Sequence, residues 1–421
     1  MSPDRARIYA WALYDWANSA FATTVMAGFF PVFFKQYWSA GHDVTESTFW
    51  LGVANSGSSL IVVLFAPLLG AIADRGGARK RFLGAFALLG IVPTAGLWFV
   101  SQGDWTTASA LYVLATVGFA GSLIFYDALL LDVANDSNFD AVSALGFALG
   151  YLGGGLLFAL NVAMTLAPGV FGLADAAEAV RWSFVTVAVW WLVFSVPLFM
   201  LVRERKAHVE RGAVRAGLRQ LLATVRQVRA LRPVAVFLVA YWCYIDGVDT
   251  IIRMAVDYGL ALGFSSDSLI VALLLVQFVG FPAALVFGRL GARHGPKRGI
   301  YVALIVYTGV VIWATQMQSE WEFYLLALVI GLVQGGVQSL SRSLYARLIP
   351  PAQSAEFFGF FNIMGKFAAI LGPFLVGWTS LATGNPRLSL LTLLVLFGLG
   401  AFFLREVPMP HETPRRSGEA G

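Results

Sequence analysis

Long apolar runs joined by short polar segments are the feature that most constrains how this chain can fold. Twelve runs follow one another, at residues 8–34, 50–72, 82–100, 108–131, 142–166, 182–202, 233–258, 269–287, 299–315, 323–346, 357–378 and 388–404. About 20 apolar residues in a helix cross the hydrocarbon core of a bilayer. The runs lack the alternation of barrel strands, so helices are the spanning elements. The sequence therefore predicts an all-α integral membrane protein of twelve transmembrane helices.

Composition supports this class of protein. Of the 421 residues, 58% are hydrophobic and only 13% are charged. Soluble domains carry about 25% charged residues, so this chain has too few charges to cover a surface that faces water. Its single cysteine, Cys243, excludes a disulfide within the chain. The net charge of +5 indicates a basic cytoplasmic face, and we expect no nucleic-acid partner.

The first apolar run has two interpretations, a cleaved signal peptide or a retained helix. It is longer than the apolar core of a signal peptide, and Asp15 interrupts it. We therefore expect a retained first transmembrane helix.

A short basic segment occurs twice, each time between two apolar runs. Gly70–Arg81 reads GAIADRGGARKR and Gly288–Arg298 reads GRLGARHGPKR. Both are predicted to be tight hairpins. When they are aligned, Lys80 matches Arg298, whereas Asp74 has no counterpart because Ala292 takes its place. A repeat at corresponding points of two halves is typical of a duplicated transporter. The candidate gating residues of the first hairpin are Gly70, Asp74, Arg75, Gly77, Arg79 and Lys80.

The repeat predicts two pseudo-symmetric six-helix halves. Residues 1–202 form the N-terminal half, 203–232 a basic cytoplasmic linker, and 233–421 the C-terminal half with a cytoplasmic tail. Basic residues concentrate in the hairpins, the linker and both ends of the chain, so both termini are expected in the cytoplasm. Part of the linker has apolar residues at helical spacing, which predicts an amphipathic helix on the membrane surface rather than a nucleic-acid-binding arm.

Polar side chains inside the runs are the candidates for a substrate or proton pathway, because burying them in a membrane is costly. The tenth run contains Ser341 and Arg342 together with the candidates Gln334 and Gln338. The candidates are Tyr14, Asp15, Asn18, Ser19, Asp127, Asp246, Asp249, Arg253, Gln334, Gln338, Asn362 and Lys366. One interpretation is a polar cavity lined by helices one, four, seven and ten, in which Asp15 or Asp246 exchanges protons. The other is a set of structural ion pairs, such as Asp249 with Arg253 at i, i+4.

Motifs for catalysis are missing. The four histidines fall outside the apolar runs and lack metal-ligand spacing. No glycine-rich phosphate-binding loop followed by Lys-Ser/Thr is present. We expect neither an enzyme nor a metal or other cofactor.

Four segments carry a family resemblance. Trp11–Ala22 reads WALYDWANSAFA, Tyr244–Ala255 reads YIDGVDTIIRMA, Gly335–Pro350 reads GGVQSLSRSLYARLIP, and Glu356–Gly377 reads EFFGFFNIMGKFAAILGPFLVG. Together with the first hairpin, they resemble the major facilitator superfamily, and within it the unknown major facilitator family, relatives of the vacuolar amino-acid effluxer. The resemblance implies the major facilitator fold. It also implies that Asp74 helps hold the inner ends of the helices together in the outward-open state, with neighbouring charge from Arg75, Arg79 and Lys80.

The chain departs from the family pattern at three places. Asp249 stands where relatives often have glutamine, Ala292 replaces the aspartate of the second hairpin, and the fourth run reads FYDALLLDVAND where relatives carry an asparagine and a proline-glutamate pair. The first and third changes could alter the substrate. The second leaves Asp74 as the only hairpin carboxylate of its kind.

The function expected from these observations is secondary transport by alternating access. The resemblance implies efflux of amino acids or similar small solutes, coupled to protons or driven by gradients alone. We expect a monomer in a bacterial or archaeal plasma membrane, with the lipid bilayer and a small molecule as its partners. The alternatives are a non-transporting ligand sensor or scaffold with a transporter fold, and a protein that moves lipids.

Overall fold

The computed structural model describes residues 3–41, 44–204, 231–261, 266–383 and 386–408, and no strand occurs among them. The first helix, α1, runs from Pro3–Ala20 through π-helical turns at Phe21–Phe29 and Phe34–Trp38. The remaining helices are α2 (Val44–Gly76), α3 (Arg79–Gly96), α4 (Trp105–Ala128), α5 (Phe139–Leu166), α6 (Ala176–Leu201), α7 (Arg232–Ala261), α8 (Ser266–His294), α9 (Pro296–Ala314), α10 (Glu320–Leu348), α11 (Ser354–Thr383) and α12 (Leu393–Arg405).

The order of these helices agrees with the predicted twelve. Among the described residues, ten helices from α1 to α10 are long and apolar enough to cross a membrane. Helix α11 has 30 residues, which exceeds the length that a bilayer requires. The last span consists of short turns at Pro386–Ser389 and Leu390–Thr392 followed by α12. Large apolar side chains lie exposed on the helix surfaces, as expected for contact with lipid. Examples are Leu64, which is 62% exposed, Ile305 at 71% and Phe402 at 60%.

The hairpins are shorter than the sequence indicated. Helix α2 continues to Gly76 and α3 begins at Arg79, so only Gly77 and Ala78 turn the chain, and Gly77 has φ +55°. The predicted hairpin from Gly70 onward was therefore wrong in its first half, which is the last two turns of α2. In the second copy, Gly295 alone turns the chain, with φ +86°. Apolar runs mark only the part of a helix that lies in lipid, and both helices extend beyond it.

Close helix contact depends on small residues. A Cβ at Gly118 of α4 would lie 2.6 Å from the backbone Cα of Gly90 on α3, and one at Gly90 would meet the ring of Trp191 from α6. Since the spans gain little from excluding lipid, such backbone approach and dispersion contacts stabilise the bundle.

Helix α4 begins with a side-chain cap. Asp104 Oδ1 accepts a hydrogen bond from the backbone N–H of Thr107 at 3.1 Å. Hydrogen bonds from the side chain and backbone of Thr107 lower the pKa of Asp104, because they favour the ionised carboxylate.

The first six and the last six helices meet along several pairs. Helix α5 contacts α8 and α10, and α2 and α4 contact α11. We call the end of the bundle at which α2 and α8 finish, and at which α5 and α11 begin, the hairpin end. The candidate site lies near this end.

Candidate functional site

A buried cluster of three charges joins helices from both parts of the chain. Arg342 of α10 lies between Asp127 of α4 and Asp15 of α1. Its Nη1 is 3.0 Å from Asp127 Oδ1 and 3.6 Å from Asp15 Oδ2. The exposed fraction is 3% for Arg342 and 7% for each aspartate. Two carboxylates therefore share one guanidinium away from water.

Helix α5 holds the guanidinium in place. Arg342 Nε donates to Ser143 Oγ at 2.9 Å, and Nη2 donates to the backbone oxygen of Ser143 at 2.8 Å. One turn further, Gly146 leaves room for the charges. A Cβ there would lie 3.0 Å from both Arg342 Nη2 and Asp15 Oδ2. The missing side chain thus allows α1, α5 and α10 to meet at the cluster.

Aromatic rings surround the guanidinium. Its Cζ is 4.3 Å from the ring centre of Phe147, 5.0 Å from Trp11 and 5.5 Å from Tyr126. Trp11 stacks on Tyr126 with ring centres 4.5 Å apart, and the Tyr126 hydroxyl donates to Asp15 Oδ2 at 3.1 Å. Ring faces favour a nearby cation and exclude water, which strengthens the attraction between the charges.

Asn362 connects the cluster to α11. Its Nδ2 donates to the backbone oxygen of Phe358 at 2.9 Å and lies 3.4 Å from Asp127 Oδ2. With both aspartates ionised, the three charged groups carry one excess negative charge. Such a cluster can bind a proton or a solute cation, and a solute anion could compete for Arg342.

A second set of contacts closes the hairpin end. Arg79 Nε is 2.6 Å from Asp74 Oδ1, and its Nη1 is 3.2 Å from Asp132 Oδ2. Asp74 also accepts from the backbone N–H groups of Ala355 at 3.3 Å and Glu356 at 2.9 Å. Both N–H groups belong to the first turn of α11, where backbone donors lack an acceptor within the helix and the helix dipole favours an anion. The carboxylate of α2 thereby binds α11.

Two lysines make equivalent contacts in the two parts of the chain, each with backbone oxygens at the end of a helix. Lys80 Nζ donates to the backbone oxygens of Phe199 and Val202, at 2.8 and 2.7 Å, at the end of α6. Lys297 Nζ donates to those of Arg405 and Val407, at 2.8 and 2.9 Å, at the end of α12. The equivalence of Lys80 with Arg298 was wrong by one residue, because the first turn contains one residue more than the second.

A third set of contacts joins α5 to α10 at the hairpin end. Arg347 donates from both Nη atoms to the two oxygens of Asp140, each at 2.9 Å. Nη2 also donates to the backbone oxygen of Asp136 at 3.1 Å, and Ser343 Oγ donates to Asp140. The Arg347 and Asp140 side chains are 10% and 3% exposed.

Most of the other predicted residues lie elsewhere. Asp246 is fully buried between α7 and α11 and accepts from the N–H of Gly372 at 2.9 Å. Gln338 Oε1 lies 3.5 Å from the Tyr151 hydroxyl. Gln334 lines an apolar cavity of about 170 Å³ among α7 to α10 and α12. Asp246 of helix seven therefore lies against α11 and is not part of the cluster.

The structure describes most of the remaining predicted residues. On α1, Tyr14 packs on Tyr126 with ring centres 5.2 Å apart, and Asn18 is 1% exposed. Ser19 lies beside Gly150 of α5. Asp249 is half-buried. Of the hairpin residues, Gly70 faces Ala355 of α11, and Arg75 is half-buried in the last turn of α2.

Two predicted residues and one predicted element cannot be placed. The side chains of Arg253 and Lys366 lie outside the described residues, and so does the linker from 205 to 230. Within the described part of the chain, no group of three metal-ligating side chains occurs.

Sequence reasoning overlooked the partners of the charges. It identified Arg342 only as a polar residue of the tenth run, and it did not single out Tyr126, Ser143, Asp140 or Arg347 as site residues. Arg342 could have been found from its charge inside an apolar run. Its pairing with Asp127 spans 215 positions and has no local signal.

Comparisons with known proteins assign this chain to a family. Residues 40–415 match the family model described as "Vacuole effluxer Atg22 like". The chain is 37% identical over 402 residues to the uncharacterized MFS-type transporter YxiO of Bacillus subtilis, with 95% of this chain and 94% of that one covered. It is 23% identical over 544 residues to Autophagy-related protein 22 of Coccidioides immitis, with 99% and 89% covered.

Solved structures share the fold. The human organic anion transporter MFSD10 aligns with TM-score 0.75 and 17% identity, covering 96% of this chain and 100% of that one. The proton:xylose symporter XylE aligns with TM-score 0.72 and 14% identity, covering 97% and 95%. Both are major facilitator proteins by fold, which confirms the predicted fold class. The chain is a multi-pass membrane protein and not an enzyme; it belongs to the Atg22-like family of major facilitator superfamily transporters.

Proposed function

We propose that this secondary transporter exports a small zwitterionic solute, an amino acid by class, and that a proton moves in exchange through Asp15 and Asp127. The observation that carries the proposal is the sharing of one buried guanidinium by two carboxylates on different helices. Helices α1, α4 and α5 supply one side of the cluster, and α10 and α11 supply the other. Movement of the two sides past each other would change the partners of Arg342.

The charges of the cluster complement both ends of a zwitterion. A solute carboxylate can displace Asp127 from Arg342 and accept the charge-assisted hydrogen bond of Nη1. A solute ammonium can bind the carboxylate that is released. Because the charges are buried among aromatic rings, an unpaired group costs several kcal/mol, which favours complete exchange of partners over partial occupancy.

Proton exchange follows from competition for the aspartates. When a solute carboxylate occupies Arg342, the solute ammonium binds the aspartate that is released. A proton on that aspartate removes the negative charge that the ammonium needs, so solute and proton exclude each other from it. Binding of the solute therefore opposes binding of the proton, and linkage of this kind is reciprocal, as exchange requires.

The arrangement in the cell is part of the proposal. Two six-helix halves, residues 1–202 and 233–421, rock about the cluster, and the segment 203–232 connects them on the cytoplasmic side. The hairpin end and both termini face the cytoplasm, in keeping with the distribution of arginine and lysine. The family's description as effluxers supports export, and the bacterial relative supports a plasma membrane. The protein acts as a monomer.

The test is flux in proteoliposomes. Labelled amino acids would be loaded individually, and efflux would be measured with and without a pH gradient, for the parent protein and for Asp15→Asn and Asp127→Asn. We expect gradient-stimulated efflux of at least one amino acid, and its loss in one or both variants. Arg342→Lys should raise the solute concentration needed for half-maximal flux, because lysine lacks the planar set of donors that lets Arg342 bind Ser143 and a carboxylate at the same time.

Asp246→Asn is the matched control. It changes an equally buried carboxylate whose bond to the N–H of Gly372 an asparagine oxygen can replace, and flux should continue. If Asp246→Asn abolishes coupling while both cluster variants keep it, the cluster is not the proton site. Absence of flux for every amino acid, in protein that remains monodisperse, would favour the ligand-sensor alternative or another solute.

A further inference from the structure

The two hairpins close their end of the bundle by different chemistry. The first supplies Asp74, which caps α11. At the corresponding position the second hairpin has Ala292, which is exposed and offers neither charge nor hydrogen bond to α5. Yet α8 packs closely on the start of α5. A Cβ at Gly291 would lie 3.2 Å from both Cβ and Cγ of Asp140.

Asp140 supplies a carboxylate at the interface where the second hairpin lacks one. Asp140 is the second residue of α5, as Ala355 is the second residue of α11. In the first contact, the acid lies on α2 and points to the facing helix at Ala355. In the second contact, the acid lies on the facing helix itself and covers Gly291 of α8. The carboxylate occupies the equivalent interface from the opposite side.

We infer that Asp140 and Arg347 are positioning residues for transport: their ion pair closes the hairpin end in place of the missing hairpin carboxylate. Arg347 makes a two-bond pair with Asp140 across α5 and α10, and its guanidinium lies 5.5 Å from the ring centre of Phe139. Asp74 holds α11 through backbone N–H groups, whereas this second contact joins two side chains. The inference rests on the alternating access proposed above, but on neither the solute nor the proton.

The same face of α10 connects this pair to the charged cluster. Ser143 of α5 donates to the backbone oxygen of Ser339 at 2.8 Å and accepts from Arg342. One turn nearer the hairpin end, Ser343 donates to Asp140. The contact between α5 and α10 is therefore held by Arg342, Ser343 and Arg347. A solute that draws Arg342 away from α5 weakens the same helix contact that Arg347 closes.

The experiment measures opening of the hairpin end rather than flux. Cys243→Ser removes the only cysteine, and Ala144→Cys places a reporter at a site that is 1% exposed and faces Gly288 of α8. Maleimide labelling of the purified protein would be timed for Asp140→Asn, Arg347→Gln and the double variant. We expect each single variant to label about tenfold faster or more, since a broken buried pair is strongly destabilising.

The double variant separates a pair from two independent effects. If Asp140 and Arg347 act together, it should label no faster than the single variants, and Arg347→Lys should remain close to the parent rate. Arg289→Gln is the matched control, because it removes an exposed arginine of α8 and should leave the rate unchanged. Single variants that label as slowly as the parent, or a double variant whose acceleration is the product of the two, would overturn the inference.

Discussion

At the scale of single residues, Arg342 decides the chemistry of the site. It bonds to Asp127 and Ser143, lies 3.6 Å from Asp15, and is buried among rings. Removing one partner of such a cluster leaves charges without compensation, which costs more than the cluster contributes when complete. The residue is therefore expected to affect folding as well as transport.

We predict that Arg342→Met lowers the free energy of unfolding by about 3–5 kcal/mol. The two carboxylates would lose their common counter-charge while remaining buried. Thermal unfolding in detergent would measure the change, with Arg81→Met, at an exposed arginine of α3, as control. Adding Asp15→Asn and Asp127→Asn to Arg342→Met should recover much of the loss, because it removes the repelling charges. A destabilisation that persists in full would assign the effect to packing instead.

At the scale of helices, close approach depends on positions without side chains. Gly118 of α4 lies against the backbone of Gly90 on α3, and Trp191 of α6 covers Gly90 from another direction. Three helices are thus held at a spacing that only glycine allows. Other glycines, such as Gly57 of α2, have open space around them, so helix packing does not require a small residue there.

We predict that Gly118→Ala destabilises the protein by about 1–3 kcal/mol, because the added methyl group meets backbone atoms that cannot move aside without separating α3 from α4. Gly57→Ala is the matched control and should be neutral or slightly stabilising, since alanine is the better helix former. Both changes can be compared by thermal unfolding in the same detergent. Equal effects of the two substitutions would contradict this account.

At the scale of the whole molecule, contacts between the first six and the last six helices close the hairpin end, and two of them involve buried carboxylates. One is the binding of α11 by Asp74, and the other is the pair of Asp140 with Arg347. Thr23 of α1 and Gln277 of α8 form a further hydrogen bond away from that end. The structure therefore represents a state in which a solute cannot leave through the hairpin end.

We predict that Gly70→Ala opens this end. A Cβ at Gly70 would lie 2.7 Å from the carbonyl carbon of Ala355 and 2.8 Å from Glu356 N, so α2 and α11 must separate. Hydrogen–deuterium exchange of a peptide covering residues 351–360 should become about tenfold faster or more, because the N–H groups of Ala355 and Glu356 lose their bonds to Asp74. Gly57→Ala, on the same helix, should leave the exchange unchanged. Unaltered exchange in Gly70→Ala would contradict the role of this contact.

Much of the fold could be predicted because the bilayer imposes it. The number of apolar runs, their order and the positions of the turns follow from the length a helix needs to cross hydrocarbon. The repeat of the two hairpins indicated a duplicated transporter, and four further segments together with the first hairpin indicated the superfamily. Helix ends were less accurate, since α2 and α8 continue beyond their apolar runs to Gly76 and His294, where hydropathy no longer marks them.

The candidate site could be predicted only in part, and the division has a physical reason. The sequence alone determined which charges are buried, because Asp15, Asp127 and Arg342 lie within apolar runs. Only the tertiary structure decided which of them meet. Asp127 and Arg342 come together, while Asp246 lies apart against α11. Helix pairing in a membrane depends on surface shape and on glycines such as Gly146, and these set distances between residues that are hundreds of positions apart.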